Sequence, residues 1–184
     1  WPTSRWLGEQ LAKANGISAL VRFPFPGSRL RQLVRCILDL DPTTEDPWRA
    51  ERLVWSVLTV LPALLDHPSA ESLKLWWEQH ASVSRRLNRD HWQLARCLAD
   101  AVDDYALYRP QELSQWIEGH GDADLPAHLH WQPQLVRALA ALLPCDPFGL
   151  QVHKAVQRLR EGDVSAAALP PRLRLFGISN LAPV

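Results

Sequence analysis

Apolar residues recur every three or four positions along most of this chain, which is the spacing of amphipathic helices. Capping and turn residues divide the pattern into segments; Gly162, for example, follows the last long segment and is suited to end a helix. The pattern predicts helices over about residues 4–14, 29–40, 46–65, 69–80, 90–108, 110–116, 133–143 and 148–161.

Two short segments depart from this spacing. Residues 17–25 alternate loosely in polarity and end at prolines, and residues 173–178 form an apolar run bounded by prolines and a turn. We predict a strand in each segment. Because a long helical stretch separates the two strands, they are expected to pair in parallel. The predicted fold class is therefore mostly α with a small parallel β element, into which a helical subdomain is inserted.

Composition narrows the classes of function. Twenty basic residues balance twenty acidic residues, whereas a free-standing DNA-binding domain usually has a basic excess. Neither G-x-x-x-x-G-K-[ST] nor G-x-G-x-x-G occurs, so no nucleotide-phosphate site is assigned. The apolar run 53–65 is interrupted by Ser56, Thr59 and Pro62, so no membrane span is predicted. The three cysteines are far apart and are expected to be free thiols of a cytoplasmic protein.

Possible metal ligands are concentrated in the polar segment 120–130, and they are His120, Asp122, Asp124, His128 and His130. No H-E-x-x-H motif or pair of cysteines supports them, so we interpret the segment as a loop and predict no metal or other cofactor. A metal-dependent nuclease that uses this loop is the weakest alternative. Serines and histidines are scattered without a nucleophile elbow, so no catalytic residue is predicted.

The nine tryptophans suggest both a core and an interface. Trp6, Trp55 and Trp92 lie at or beside apolar helical positions and are interpreted as core residues. Trp76 and Trp77 are neighbours on a predicted helix, so their side chains point about 100° apart. One of these two is therefore predicted to lie at the surface or against a partner.

The most distinctive helix carries three aspartates on one face. Asp100, Asp103 and Asp104 have helical spacing, and Pro110 holds Arg109 at the end of the helix. A solvated amphipathic face is the simpler interpretation. The functional alternative is contact with nucleic-acid bases, because carboxylates repel phosphates but accept hydrogen bonds from the amino groups of cytosine and adenine. Arg109 would then stack on a base or bind a carboxylate.

Three blocks of the sequence resemble the gamma chain of exodeoxyribonuclease V, the RecC family. They are residues 16–26 (GISALVRFPFP), 99–120 (ADAVDDYALYRPQELSQWIEGH) and 169–184 (LPPRLRLFGISNLAPV). The D-x-x-D-x-Y-x-x-Y-R-P core of the second block is the most specific part. The order and spacing of the blocks fit along nearly the whole chain. We therefore expect an N-terminal fragment of a much larger subunit.

The resemblance implies an inactivated helicase-like core domain of the P-loop type with an all-helical subdomain inserted into it. Residues 1–42 plus 166–184 would be parts of the core domain, and residues 43–165 would be the inserted subdomain. The family forms a noncatalytic channel that threads single-stranded DNA and scans it for the Chi hotspot, during double-strand break repair by homologous recombination.

The resemblance assigns the motor and nuclease chemistry to RecB-like and RecD-like partner subunits, together with their ATP and Mg. It implies no cofactor in this fragment and no contact with a membrane. The alternative function is a protein–protein scaffold that docks the motor and nuclease subunit without reading DNA directly. In that case the exposed member of the Trp76–Trp77 pair would be the anchor.

The resemblance also implies site residues by position. Asp100, Asp103 and Arg109 match channel-lining residues of the family directly. Asp104 occupies a further channel position, where the family carries glutamine. The face of the predicted helix that carries these four residues is therefore expected to be the centre of the DNA contact.

Four other channel positions differ from the family. Phe25 stands where a leucine lines the channel, Arg5 where glutamine is expected, Arg31 where tryptophan is expected, and Ala101 where leucine is expected. Arginine favours guanine, whereas glutamine favours adenine. The family's hotspot sequence is therefore not predicted for this chain.

Overall fold

A computed structural model describes residues 2–41, 43–80, 88–165, 169–170 and 172–174. The eight predicted helices are all present, with shifted ends. They are α1 (Pro2–Asn15), α2 (Pro26–Ile37), α3 (Ala50–Leu65), α4 (Glu71–Gln79), α5 (Arg89–Tyr108), α6 (Pro110–Ile117), α7 (Trp131–Leu142) and α8 (Phe148–Glu161). Short 3-10 turns occur at Pro68–Ala70, Asp122–Asp124 and Ala127–Leu129.

The predicted parallel β element is wrong, because no strand occurs among the described residues. Residues 17–25 form an irregular connection between α1 and α2 instead. Leu20 has a positive φ of 58°, which interrupts an extended strand, and its side chain is fully exposed. Residues 173–174 are also irregular, and the rest of segment 173–178 lies outside the described residues.

This correction extends to the expected helicase-like core of the P-loop type, since such a core is built on a parallel sheet. The described part of the chain contains no sheet on which it could form. The apolar spacing in segment 17–25 was compatible with a strand, but a strand also needs a partner for its backbone hydrogen bonds. That partner is not present in the described ranges.

The main hydrophobic core lies among α3 to α7. Leu53, Val57 and Leu61 of α3 are completely buried, because they repeat at helical spacing on the side that faces α5 and α7. Leu113 of α6 and Leu139 of α7 complete the same cluster. Pro62 is accommodated within α3, which continues to Leu65.

A second, smaller core joins α2 to α8 through Val34, Ile37, Phe148 and Ala155. This contact crosses the proposed boundary between residues 42 and 43, and the division into two domains stays a prediction.

The first turn of α8 also lies directly against the junction of α5 and α6. A Cβ atom on Gly149 would lie 2.4 Å from the carbonyl oxygen of Ala106 and 2.4 Å from Pro110 Cβ. Only glycine permits such a close approach. As predicted, Gly162 ends α8 with a left-handed conformation.

Within the described ranges, no single helix is both long and apolar enough to cross a membrane. The segments Ala50–Leu65 and Pro68–Gln79 satisfy those criteria only when they are combined across a bend of 107°.

Candidate nucleic-acid interface

Two aspartates of the candidate site, Asp100 and Asp104, lie on the outward side of α5, whereas Asp103 lies at its border with the side that packs against α3. Asp100 and Asp104 are exposed, whereas the side chain of Asp103 is only 19% exposed. Helical geometry thus places the three carboxylates on one face, but the tertiary structure gives them different environments.

Asp103 caps another helix. Its carboxylate accepts a hydrogen bond from the backbone amide of Ala50, the first residue of α3, over 3.2 Å. It also pairs with Arg49, with 3.5 Å between Oδ2 and Nη1. The residue before α3 is Arg49, whose side chain makes no capping hydrogen bond. Asp103 therefore supplies the acceptor that the amino end of α3 lacks, in a position favoured by the helix dipole.

Arg31 is held close to the same place from α2. Its Nη1 lies 2.5 Å from Oδ2 of Asp46, and its guanidinium lies 4.1 Å above the centre of the Phe148 ring. The other oxygen of Asp46 accepts a hydrogen bond from the amide of Trp48 over 3.0 Å. We refer to Arg31, Asp46, Arg49 and Asp103 as the charge cluster.

Partial burial shifts the pKa values of two residues in the charge cluster. Burial raises the pKa of Asp103, although the hydrogen bond from Ala50 and the charge of Arg49 oppose this shift. Burial also lowers the pKa of Arg31. Two positive and two negative groups thus compensate one another at the junction of α2, α3 and α5.

The structure therefore brings together Arg31 and Asp103, two of the site residues predicted from the sequence, but both already have internal partners. Sequence reasoning missed the other two members of the charge cluster. Asp46 is the first residue of the helix predicted over 46–65, but that helix begins four residues later, at Ala50. The four residues of the charge cluster come together through contacts between segments that are distant in sequence. Helical spacing within one segment gives no information about such contacts.

Arg109 lies at the junction of α5 and α6, as predicted, and its side chain is 57% exposed. It pairs with Glu112 over 3.4 Å, and its guanidinium lies 5.5 Å from the centre of the Tyr105 ring. Asp100 pairs with Arg96 over 3.3 Å. Tyr108, next to Arg109, is 54% exposed. This end of α5 therefore offers solvent an aromatic ring, a guanidinium and carboxylates.

The remaining two predicted residues lie at the amino end of the chain. Arg5 is strongly exposed on α1 and pairs with Glu9 of its own helix over 3.2 Å. Phe25 is exposed immediately before α2. It precedes Arg31 by roughly one and a half helical turns. Phe25 is thus connected to the charge cluster through α2, whereas the ion pair of Arg5 with Glu9 lies within α1.

A small aromatic cleft lies beside the aspartate face. It has a volume of about 40 Å³, and Ala101, Tyr105, Trp116 and Trp131 are among its lining residues. The arrangement supports stacking and hydrogen bonding at the surface of α5.

The polar segment 120–130 has internal contacts of its own. Asp122 forms an ion pair with Arg137. The Nε2 atom of His130 lies 2.8 Å from the carbonyl oxygen of Leu125. In the described ranges, no group of three or more His, Cys, Asp or Glu side chains is arranged to hold a metal ion.

The predicted tryptophan environments are partly wrong. Trp6 and Trp55 were expected in the core but are 51% and 61% exposed. The described side chains of α1 are not buried, and Trp55 points away from the side of α3 on which Leu53, Val57 and Leu61 are buried. Trp76 and Trp77 are both half-buried rather than one being exposed. Each of these two stacks on a histidine, with ring centres 4.1 Å apart for Trp76 and His80 and 3.6 Å apart for Trp77 and its partner.

Comparison with known proteins decides the family. The model of the RecC N-terminal domain matches residues 1–184. The chain belongs to the RecC family. This confirms the resemblance inferred from the three sequence blocks.

Individual RecC relatives support the same family. The RecBCD enzyme subunit RecC of Mycobacterium tuberculosis (strain CDC 1551 / Oshkosh) is 35% identical over 97% of this chain. The corresponding subunits of Mycolicibacterium smegmatis and Escherichia coli K12 are 33% and 28% identical over 96% and 98% of it. The chain spans only 15–16% of the length of these three relatives.

Proposed function

We propose that this chain is the N-terminal domain of a noncatalytic subunit of a RecBCD-type helicase–nuclease, exodeoxyribonuclease V. The match to the RecC N-terminal domain and the names of the relatives support this assignment. In this proposal the subunit acts in the cytoplasm, in double-strand break repair by homologous recombination. RecB-like and RecD-like partners carry the motor and nuclease chemistry, with their ATP and Mg.

Within that complex, the outward face of α5 forms part of the wall of a channel for single-stranded DNA. The observation that carries this proposal is the exposed group formed by Asp100, Asp104, Tyr108 and Arg109. The carboxylates accept hydrogen bonds from the amino groups of cytosine or adenine. Tyr108 and Arg109 stack on the bases, as aromatic and guanidinium groups do in single-strand binding sites.

The charge cluster has a supporting role in this proposal. Asp103 and Arg31 hold α5, α3 and α2 in place, while Asp100 and Asp104 contact the DNA. The balanced charge of the chain gives little counterion release. The domain therefore reads a strand that the motor subunits deliver, and binds DNA weakly without them.

The channel scans the strand for a hotspot of the Chi type. Arg5, which is exposed where the family has glutamine, favours guanine at its position. Arg31 is committed to Asp46 and does not take over the stacking role of the tryptophan it replaces. We therefore expect this enzyme to respond to a different hotspot sequence from that of the family member with glutamine and tryptophan.

The test uses the intact subunit in the reconstituted complex. The double variant Asp100→Ala/Asp104→Ala should abolish or alter hotspot-dependent attenuation of the nuclease, because loss of a base contact lowers discrimination roughly 5- to 150-fold. Glu71→Ala is the matched control, since Glu71 is an exposed carboxylate on α4. DNA containing 5-iododeoxyuridine should also cross-link to Tyr108. Normal attenuation in the double variant, without a cross-link to Tyr108, would refute DNA reading by α5.

The alternative scaffold function is not favoured at the position predicted for it. Trp76 and Trp77 are half-buried, and each is covered on one ring face by a histidine. They offer little apolar area to a partner.

A further inference from the structure

The guanidinium of Arg109 is held by two neighbouring side chains. It lies over the ring of Tyr105, with its central carbon 5.5 Å from the ring centre, which is within the range of a cation–π contact. Its Nη1 atom lies 3.4 Å from Oε2 of Glu112. Because the N–H bonds of a guanidinium lie in its plane, Tyr105 contacts one face of the group and Glu112 contacts its edge.

The Tyr105 ring is itself fixed from two directions. Its hydroxyl donates a hydrogen bond to Oε1 of Gln132 on α7 over 3.3 Å. Its ring meets that of the buried Trp116 edge to face, with ring centres 5.6 Å apart and planes at 70°. The small aromatic cleft is lined by these same three residues, so packing alone does not fill the space around the ring. The hydrogen bond to Gln132 therefore restricts a ring that the cleft would otherwise allow to move.

These contacts prepare Arg109 for stacking. A long side chain loses rotamer freedom when it binds, and it loses less when its conformation is already restricted. The Arg109 side chain is 57% exposed although one face of its guanidinium lies on Tyr105, so the opposite face is accessible to solvent. A planar guanidinium stacks on flat ring systems. The geometry thus fits a stack of ring, guanidinium and base at the end of α5.

We propose that Tyr105 and Gln132 are positioning residues for Arg109. The hydrogen bond from Tyr105 to Gln132 fixes the ring, the ring fixes the guanidinium, and a base of single-stranded DNA stacks on the outer face of the guanidinium. This inference rests on the proposed contact between α5 and DNA. Because every base has an aromatic face, such a stack holds the strand and does not read its sequence.

The experiment uses the intact subunit in the reconstituted complex, loaded with a single strand that carries 5-iododeoxyuridine. Since the motor subunits hold the strand, the yield of the cross-link to Tyr108 measures how often a base occupies the stack. Arg109→Ala should lower this yield by about 5-fold or more, as the loss of a stacking partner does. Tyr105→Leu should lower it by about 2- to 5-fold, the range of an exposed cation–π contact.

Smaller changes test the hydrogen bond separately. Tyr105→Phe keeps the ring but loses the hydroxyl, and Gln132→Leu removes the acceptor. Each should lower the cross-link yield by about 2-fold, and the two changes together should lower it no further, because they remove the same hydrogen bond. Additive losses would contradict the inference even if Tyr105→Leu failed to fold. Gln134→Leu is the matched control on α7 and should leave the yield unchanged.

A double-mutant cycle separates positioning from a purely structural role. In the Arg109→Ala background, Tyr105→Leu should lower the yield no further, because the residue through which it acts is absent. A further loss would overturn the inference, and so would a wild-type yield in Tyr105→Leu while Arg109→Ala lowers it; DNA reading by α5 survives both results. If Arg109→Ala and Asp100→Ala/Asp104→Ala both leave the cross-link and the attenuation unchanged, the DNA contact itself fails and this inference fails with it.

Discussion

Replacing Asp103 provides the sharpest test of whether this residue supports the fold or reads DNA. In Asp103→Ala, the amide of Ala50 loses its acceptor, which costs about 1 kcal/mol for a helix cap. The negative charge is lost as well, but Arg31 keeps Asp46 and Arg49 keeps Glu51 as partners, so this loss adds little. We therefore expect the free energy of unfolding to fall by roughly 1–2 kcal/mol.

Asp103→Asn separates the two contributions. The amide oxygen of asparagine still accepts a hydrogen bond from Ala50, so the cap is kept while the negative charge is lost. The expected loss is then small, because burial raises the pKa of Asp103 and its negative charge therefore adds no net stability to the folded chain. Hydrogen exchange of the intact subunit measures the local effect, through the amides of the first turn of α3. Protection there should fall strongly in Asp103→Ala and much less in Asp103→Asn.

A different outcome would refute the supporting role. If both variants keep full protection in α3 but lose hotspot attenuation, Asp103 contacts DNA and the charge cluster does not hold the helix. The matched comparison is Asp104→Ala, whose exposed carboxylate lies on the same helix. This variant should leave the exchange of α3 unchanged.

The pH dependence gives an independent check on Asp103. Burial raises the pKa of this carboxyl in the folded chain above its ordinary value of 3.8. As pH rises, the unfolded chain loses this proton first, so the stability that comes from protonated Asp103 is complete below 3.8 and is lost as pH rises through the folded pKa. The unfolding free energy of wild type relative to Asp103→Asn should therefore fall as pH rises through this window.

Two further predictions concern close packing contacts in the interior. Gly149→Ala should destabilise the subunit by about 1–3 kcal/mol, because the added Cβ would lie 2.4 Å from the carbonyl oxygen of Ala106. Chemical unfolding measures this loss, and an unchanged unfolding midpoint would contradict the close approach. Trp48→Phe should lower the free energy of unfolding by about 1–3 kcal/mol, because Trp48 is buried and its Nε1 donates a hydrogen bond to the carbonyl of Cys145 over 2.6 Å. Thermal unfolding should show a lower midpoint, and an unchanged midpoint would mean that this hydrogen bond contributes nothing to stability.

The helices could be predicted from the sequence because their signals are local. Apolar spacing located α3, α5, α7 and α8, proline at position 110 placed the start of α6, and Gly162 placed the end of α8. The grouping of Asp100, Asp103 and Asp104 on one face followed from the same helical geometry. Family membership was also evident in the residues themselves, since the D-x-x-D-x-Y-x-x-Y-R-P core lies in one continuous stretch.

The strand prediction failed for a physical reason. Loose alternation in segment 17–25 indicated an extended chain, but a strand exists only where a second strand accepts and donates its backbone hydrogen bonds. The described part of the chain provides none, and the segment is irregular with Leu20 in a left-handed conformation. Local sequence specifies the tendency, whereas pairing is decided by the tertiary structure.

The environments of the site residues were likewise decided by tertiary contacts. Asp100 and Asp103 are equivalent in the sequence pattern, but α3 begins beside Asp103 and leaves Asp100 at the surface. Trp55 lies beside apolar positions and was interpreted as a core residue, yet it points away from the buried side of α3 and is 61% exposed. The periodic pattern therefore determined which residues share a helix face. The packing of one helix against another determined which of them are enclosed and which remain exposed.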